Sequence, residues 1–205
     1  MKKTTPLFTL LLFLASTVLS QTVKIGKQKW MTHNLDVSTF RNGDVIPEAK
    51  TEAEFKKAGD NKKPAWCYYG NDPENGKKYG KLYNWFVVND SRGLAPAGFH
   101  IPSDAEWTKL SDNLGSMTVA GKKMKSKSEW KVDSNSTNSS GFSGLPGGYS
   151  YNGEFYFIGS TGKWWSSTED YTYYAWFRGL YDISINMTRY YSYKIDGYSV
   201  RCLKD

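Results

Sequence analysis

Cysteine and histidine are scarce in this 205-residue chain, at two of each: Cys67 and Cys202, His33 and His100. None falls in a C-x-x-C or H-x-x-x-H spacing, so the sequence supports no metal site. Long apolar runs are as rare. The one present, Leu7 to Leu14, follows Lys2 and Lys3 and precedes the small-residue site Val18-Leu19-Ser20. That is the layout of a cleaved signal peptide, with Gln21 as the first mature residue. The run is too short to hold a bilayer as a permanent anchor. No cysteine follows it to carry a lipid, and no later segment reads as transmembrane. Residues 1–20 are therefore expected to be an export signal and residues 21–205 a single domain, secreted or held at the cell surface, with the periplasm as a further location.

One-signed charge blocks are missing too. The formal charge of +7 falls by two once Lys2 and Lys3 leave, and the basic residues are scattered apart from Lys122, Lys123, Lys125 and Lys127. A single short basic patch without a second stripe is a poor footprint for nucleic acid and reads as a solvated face. Two cysteines in an exported chain permit one disulfide, Cys67–Cys202. It would close a long loop and add about 3–5 kcal/mol in the chain-entropy model. Two buried free thiols are the other reading.

Catalytic patterns do not assemble. There is no G-x-S-x-G elbow, and a triad of Ser103 or Ser166 with His100 exists only on paper. Asp104 and Glu106 are explained by helix capping. The residues point to no enzyme and no cofactor.

What the chain does contain is order of an α+β kind. Val23 to Trp30 alternates as an opening strand, and Asn34 to Pro47 reads as a hairpin about Asn42-Gly43. Thr51 and Glu54 make a capping box for a helix over 51–58, ended by Gly59. Asn71 to Lys78 reads as a loop. Ser103 and Glu106 form a second box ahead of Trp107, Leu110 and Leu114, which share one helical face up to Gly115. A weaker helix is expected over Val119 to Lys127, then a polar loop at Asp133 to Ser140. Asn135, Asn138 and Asn186 begin chance glycosylation sequons. Glycine-punctuated short strands follow to the end, with no fixed-period repeat.

The richest segment is Tyr171 to Tyr198, which holds eight of the fifteen tyrosines in 28 positions. Tyr, Ser, Asn, Asp and Thr dominate it, the composition of an antibody paratope. Tyr gives wide amphipathic contact at low rotamer cost, and Ser and Asn give adaptable hydrogen bonds. Half-exposed strands favour Tyr, Ile and Thr as well. The residues expected to meet a ligand are Tyr171, Tyr173, Tyr174, Phe177, Tyr181, Asp182, Ser184, Asn186, Tyr190, Tyr191 and Tyr193. Trp176 and Arg178 are expected to brace the last strands, Arg178 against a carboxylate. Trp85, Trp107, Trp164 and Trp165 are expected in the core.

Six blocks, in order, carry a resemblance: Lys29-Trp30-Met31-Thr32-His33-Asn34-Leu35, Lys81-Leu82-Tyr83-Asn84-Trp85, Ala95 through Trp107, Gly141 through Tyr149, Trp164-Trp165-Ser166-Ser167-Thr168, and Ser199-Val200-Arg201-Cys202. The chain resembles the Fibrobacter succinogenes major paralogous domain family, which is exported in bacteria and similar to the formylglycine-generating-enzyme branch of the C-type lectin-like fold. The resemblance implies an α+β, C-type lectin-like domain: a twisted antiparallel sheet and two main helices supporting a loop-rich half, with terminal strands side by side. Many members carry Cys where Ala95 stands, so the resemblance leaves Cys67 as the one partner for Cys202. The vicinal catalytic cysteines of the formylglycine branch do not occur here. Neither do the E-P-N, Q-P-D and W-N-D motifs of calcium-dependent lectins, and Asp170, Asp182 and Asp196 are spread apart.

The tail also resembles the variable region of a diversity-generating retroelement. A scaffold of W-W-S-S-T, Ala175-Trp176, Arg178, Leu180, Arg189 and G-Y-S-V-R-C is interrupted by residues one or two adenine changes from an Asn codon. The function expected is recognition of a macromolecular ligand, protein or glycan, by a Tyr-rich C-terminal face. The rivals are a static carbohydrate-binding domain and an enzyme relative without its cysteine pair.

Overall fold

The computed structural model describes residues 21–132 and 136–205. The export signal expected at 1–20, the Asn135 sequon and the first three residues of the polar loop lie outside the described residues. Among those described, the chain is α+β and mostly sheet. β1 (Thr22–Ile25) and β2 (Gln28–Met31) form a hairpin. The alternation read as one strand is thus folded back at Gly26-Lys27. The last strand pairs with β2, Leu203 opposite Trp30, and Met31 N–H donates to the Cys202 carbonyl at 3.0 Å. The two ends of the domain lie side by side. The expected Asn34–Pro47 hairpin reduces to one bridge, Thr39 to Val45.

The helices follow their caps. Thr51 Oγ1 accepts from Glu54 N–H at 3.1 Å and opens α1 (Glu52–Asp60). Gly59 does not end α1. It sits inside the helix because Ile195 packs there, and a Cβ would stand 2.7 Å from the Ile195 Cβ. After β3 (Trp66–Cys67), the expected loop at 71–78 is instead largely α2 (Pro73–Tyr79). The Asp72 side chain caps Glu74 N–H, and Pro73 takes the first position, where its missing N–H leaves nothing unmade. β4 (Leu82–Tyr83), the short α3 (Trp85–Val88) and β5 (Phe99–His100) come next. α4 (Asp104–Asn113) carries the complete Ser103–Glu106 capping box, with Trp107 and Leu110 fully buried. α5 (Met117–Met124) stops before Lys125. Lys125 is fully buried, which corrects the solvated-face reading of that basic cluster.

The second half builds a sheet in the order β10-β9-β8-β6-β7 from β6 (Gly147–Tyr151), β7 (Glu154–Ile158), β8 (Thr161–Tyr171), β9 (Tyr174–Tyr181) and β10 (Met187–Tyr193). β11 (Leu203–Lys204) closes the first sheet between β2 and β5. Strand alternation sends the neighbours Trp164 and Trp165 to opposite sides of β8. Trp164 packs with Trp30, Trp107 and Phe142, and Trp165 with Tyr83, Phe177 and Tyr198. Each is fully buried, as is Leu180.

The Cys67–Cys202 bridge does not form. Both thiols are free and buried. Cys67 lies with Phe55 and Leu82 in one apolar cluster, and Cys202 lies with Val200 and Tyr83 in another. Burial pushes the Cys202 thiol up to about 12 and the Cys67 thiol higher still.

Candidate functional site

The tyrosine-rich tail is the β8–β9–β10 meander, and its register decides which side chains meet. Tyr193 stands opposite Tyr174, Tyr191 opposite Trp176, and Arg189 opposite the fully buried Arg178, all on one side of the β9–β10 hairpin. The rings form a ladder. Tyr174 lies 4.7 Å from Tyr193 and 5.3 Å from Tyr191, and Tyr191 meets Trp176 edge-on at 5.9 Å. Tyr190 belongs to the other side, opposite Phe177. Its ring stacks on Tyr191 at 4.9 Å and meets Phe177 edge-on at 6.5 Å, at the open edge of the sheet. Tyr171 ends β8 and Tyr173 lies in the β8–β9 turn, at 71% and 62% exposure, and Tyr190 is 59% exposed. Tyr191 and Tyr193 are exposed as well, and Tyr174 is half-buried.

Three departures from expectation follow. Phe177 is not a surface residue: it is 4% exposed, paired with Tyr190 across the ladder but turned inward onto Tyr198 at 4.9 Å. Alternation with Ala175, also buried, puts it on the core side. Second, Tyr181, Asp182, Ser184 and Asn186 lie at the opposite end of the hairpin, around the β9–β10 turn. The eight residues of β9 separate that turn from Tyr174 by roughly 20 Å or more. The sequence candidates therefore fall into an aromatic ladder at one end and a polar turn at the other. Third, Asp104 is more than a helix-end charge. It receives Arg178 Nη1 at 2.6 Å and Arg189 at 3.0 Å. Arg189 in turn lies flat over Trp176 with its Cζ 3.4 Å from the ring centre. Burial pushes the Asp104 carboxyl up, but hydrogen bonds from Arg189 and Arg178 outweigh it and the net shift is downward. The carboxylate is thus held charged, and it locks the ladder to α4.

The Fibrobacter succinogenes major domain model matches residues 23–204. The chain belongs to that family. No curated protein and no solved structure matches it.

In this family member the scaffold grips both tail turns mainly through main-chain atoms. Lys125 Nζ donates to the carbonyls of Tyr181, Asp182 and Ser184 at 3.1, 3.4 and 2.7 Å. Lys122 N–H donates to Ile185 O at 3.0 Å. Gly121 lets α5 approach, since a Cβ there would be 2.2 Å from the Asn186 carbonyl oxygen. At the other turn, Lys194 Nζ donates to Thr172 O at 2.8 Å and pairs with Glu169, and Lys194 N–H donates to Tyr173 O. Apart from the Lys194–Glu169 pair, these bonds go to main-chain atoms. Beside this turn is a cleft of about 390 Å³, walled by Phe86, Tyr173, Tyr193, Ile195 and the end of α1.

The functional residues that sequence reasoning missed are Asp104 as a brace, Arg189, Lys125 and Lys194. Arg189 alternates with Tyr191 and Tyr193 and could have been placed on their face by period two. The lysine grips join segments 22 to 59 residues apart and leave no local signal. Among the described residues, no three His, Cys, Asp or Glu cluster as metal ligands would, and no helix is long and apolar enough to cross a membrane.

Proposed function

We propose that the chain is an exported recognition module of C-type lectin-like fold, secreted or surface-held, that binds a macromolecular ligand through its tyrosine-rich C-terminal hairpin. It is a binding domain and not an enzyme. One observation carries the reading: Tyr171, Tyr173, Tyr190, Tyr191 and Tyr193 are exposed beside a fully buried layer of Trp164, Trp165 and Leu180. Exposed tyrosines lose little side-chain entropy on binding and carry both an apolar ring and a hydrogen-bonding hydroxyl, the combination favoured at binding hot spots. The main-chain grip on the two turns supports a second part of the proposal, that side-chain identity there is open to rewriting of the retroelement kind. A reverse transcriptase and a near-copy of the tail-coding sequence beside the gene are the expected genomic companions.

The test is a binding screen of the mature chain against arrays of glycans and of peptides. It runs beside the variant Tyr173→Ser/Tyr190→Ser/Tyr191→Ser. A ligand lost by at least tenfold in the variant supports the reading. Ligands bound equally by both proteins place the site elsewhere.

A further inference from the structure

β10 is the last strand of its sheet, and half of it is uncovered. Its first residue, Met187, is buried, and α5 packs near that end. From Arg189 to Tyr193 no strand of the described residues lies on the side away from β9. The register tells which main-chain groups face out. Lys194 N–H donates to Tyr173 O, so Tyr193 and Tyr174 form a non-hydrogen-bonded pair, and by alternation so do Tyr191–Trp176 and Arg189–Arg178. The N–H and C=O of Arg189 and of Tyr191 therefore point away from β9, and they have no hydrogen-bond partner among the described residues.

Sheet edges are normally shielded by lysine, proline, a bulge or a covering segment. The run Tyr190-Tyr191-Ser192-Tyr193 has none of these. Both flanking charges are already engaged, Arg189 by Asp104 and the Trp176 ring, and Lys194 by Glu169 and the Thr172 carbonyl. At the end of this open edge lies the cleft of about 390 Å³, which shares Tyr193 and is walled by Phe86, Tyr173 and Ile195. A row of free main-chain donors and acceptors next to an apolar cleft matches one ligand chemistry. An extended polypeptide supplies main-chain groups at the strand repeat and a side chain for the cleft.

We infer that the ligand of the tyrosine face is an extended peptide segment of a partner protein, which adds as a strand to the Arg189–Tyr193 edge and seats an apolar side chain in the Phe86–Tyr173–Tyr193 cleft. This rests on the binding reading above and gives it a ligand class. The edge supplies sequence-independent affinity and the rings on either side supply selectivity.

The probe is a displayed library of random twelve-residue peptides selected on the mature chain, with the recovered peptides resynthesised. Binding should fall at least tenfold when alternate peptide amides are N-methylated. It should also fall further with Tyr191→Pro, which removes an outward N–H, than with Tyr191→Ser, which keeps it. An edge strand accepts proline where its N–H faces solvent, and the melting curve of each variant checks the fold. If Tyr191→Pro fails to fold, peptide N-methylation still decides. Peptides that lose affinity with the triple Tyr→Ser variant but ignore N-methylation overturn strand addition and leave the face reading intact. Recovery of no peptide, or of glycans alone, overturns the inference, as does a concentration-dependent dimer abolished by Tyr191→Pro, which would assign the edge to a second copy. Peptides insensitive to all these variants overturn the face reading too.

Discussion

Trp164 donates its indole N–H to Oδ1 of Asn34 at 2.8 Å, across 130 residues of chain. The same oxygen accepts from Arg201 Nη2 at 2.8 Å, while Asn34 Nδ2 donates to the Tyr79 carbonyl and to Ser199 Oγ. Arg201 is fully buried and is held by Asn34, by the carbonyls of Met31 and Phe142, and by the Phe142 ring. One amide thus joins the first sheet, the last segment and the layer beneath the tyrosine hairpin. Asn34→Leu strips an acceptor from a buried guanidinium and an indole together, and should cost about 3–5 kcal/mol. Urea unfolding measures this directly, and a loss below about 1 kcal/mol would mean the neighbouring carbonyls suffice.

The lysine grip predicts an asymmetry at the far turn. Lys125→Met keeps the aliphatic stem but removes the Nζ donor from three carbonyls, of which Tyr181 O keeps the Ser184 N–H, at a cost of about 2–3 kcal/mol. It should also speed amide exchange across residues 181–186. Ile183→Ser and Asn186→Ser, at exposed positions of the same turn, should each stay within about 0.5 kcal/mol of the parent. Turn substitutions as costly as Lys125→Met would show that side chains, and not the main chain, hold the turn.

Much of this was legible from local chemistry. Ser103 with Glu106, and Thr51 with Glu54, announced their helices because capping is decided within four residues. The α2 helix was not legible. Its seven residues include Asn75 and Gly76, and Gly76 is there because the Tyr68 ring lies on it, so that a Cβ would fall 2.2 Å from the ring. Gly59 misled in the same way, since contact with Ile195 is invisible in a window around position 59. In the tail, composition identified the aromatic surface but not its geometry. Phe177 and Tyr190 are paired across strands, yet one is core and the other is open, because β9 is interior to the sheet and β10 is its edge. In the Asp104–Arg189–Trp176 brace, period two could place Arg189 on the ring face, but the Asp104–Arg189 contact spans 85 positions and leaves no local pattern.

Free thiols make a simple chemical forecast. Neither Cys67 nor Cys202 should react with a disulfide reagent in the native protein at pH 8, since both are buried and burial disfavours the thiolate. In denaturant, without reductant, both should titrate. Titration of none would mean that the two are bonded.

Asp196 sets a pH dependence. Burial pushes its carboxyl up to about 6, against hydrogen bonds from Ser192 and the Asn152 main chain that pull the other way. A native value above the unfolded one means the folded chain holds the proton more tightly. The stability this gives is present below about pH 4 and is lost as pH rises through about 6. Asp196→Asn mimics the protonated form, so the variant should gain on the parent between pH 4 and pH 7 when their unfolding free energies are compared. Parallel pH profiles would remove Asp196 from this role.

The separation of the tyrosine face from the core is tested most directly by thermal unfolding of Tyr173→Ser/Tyr190→Ser/Tyr191→Ser, a measurement that needs no ligand. With each exposed side chain contributing within about 0.5 kcal/mol, the melting temperature should fall by less than about 5 °C and the transition should stay cooperative. A fall of about 10 °C or more, or a broadened transition, would show that these rings hold the fold together and would contradict a face free to serve recognition.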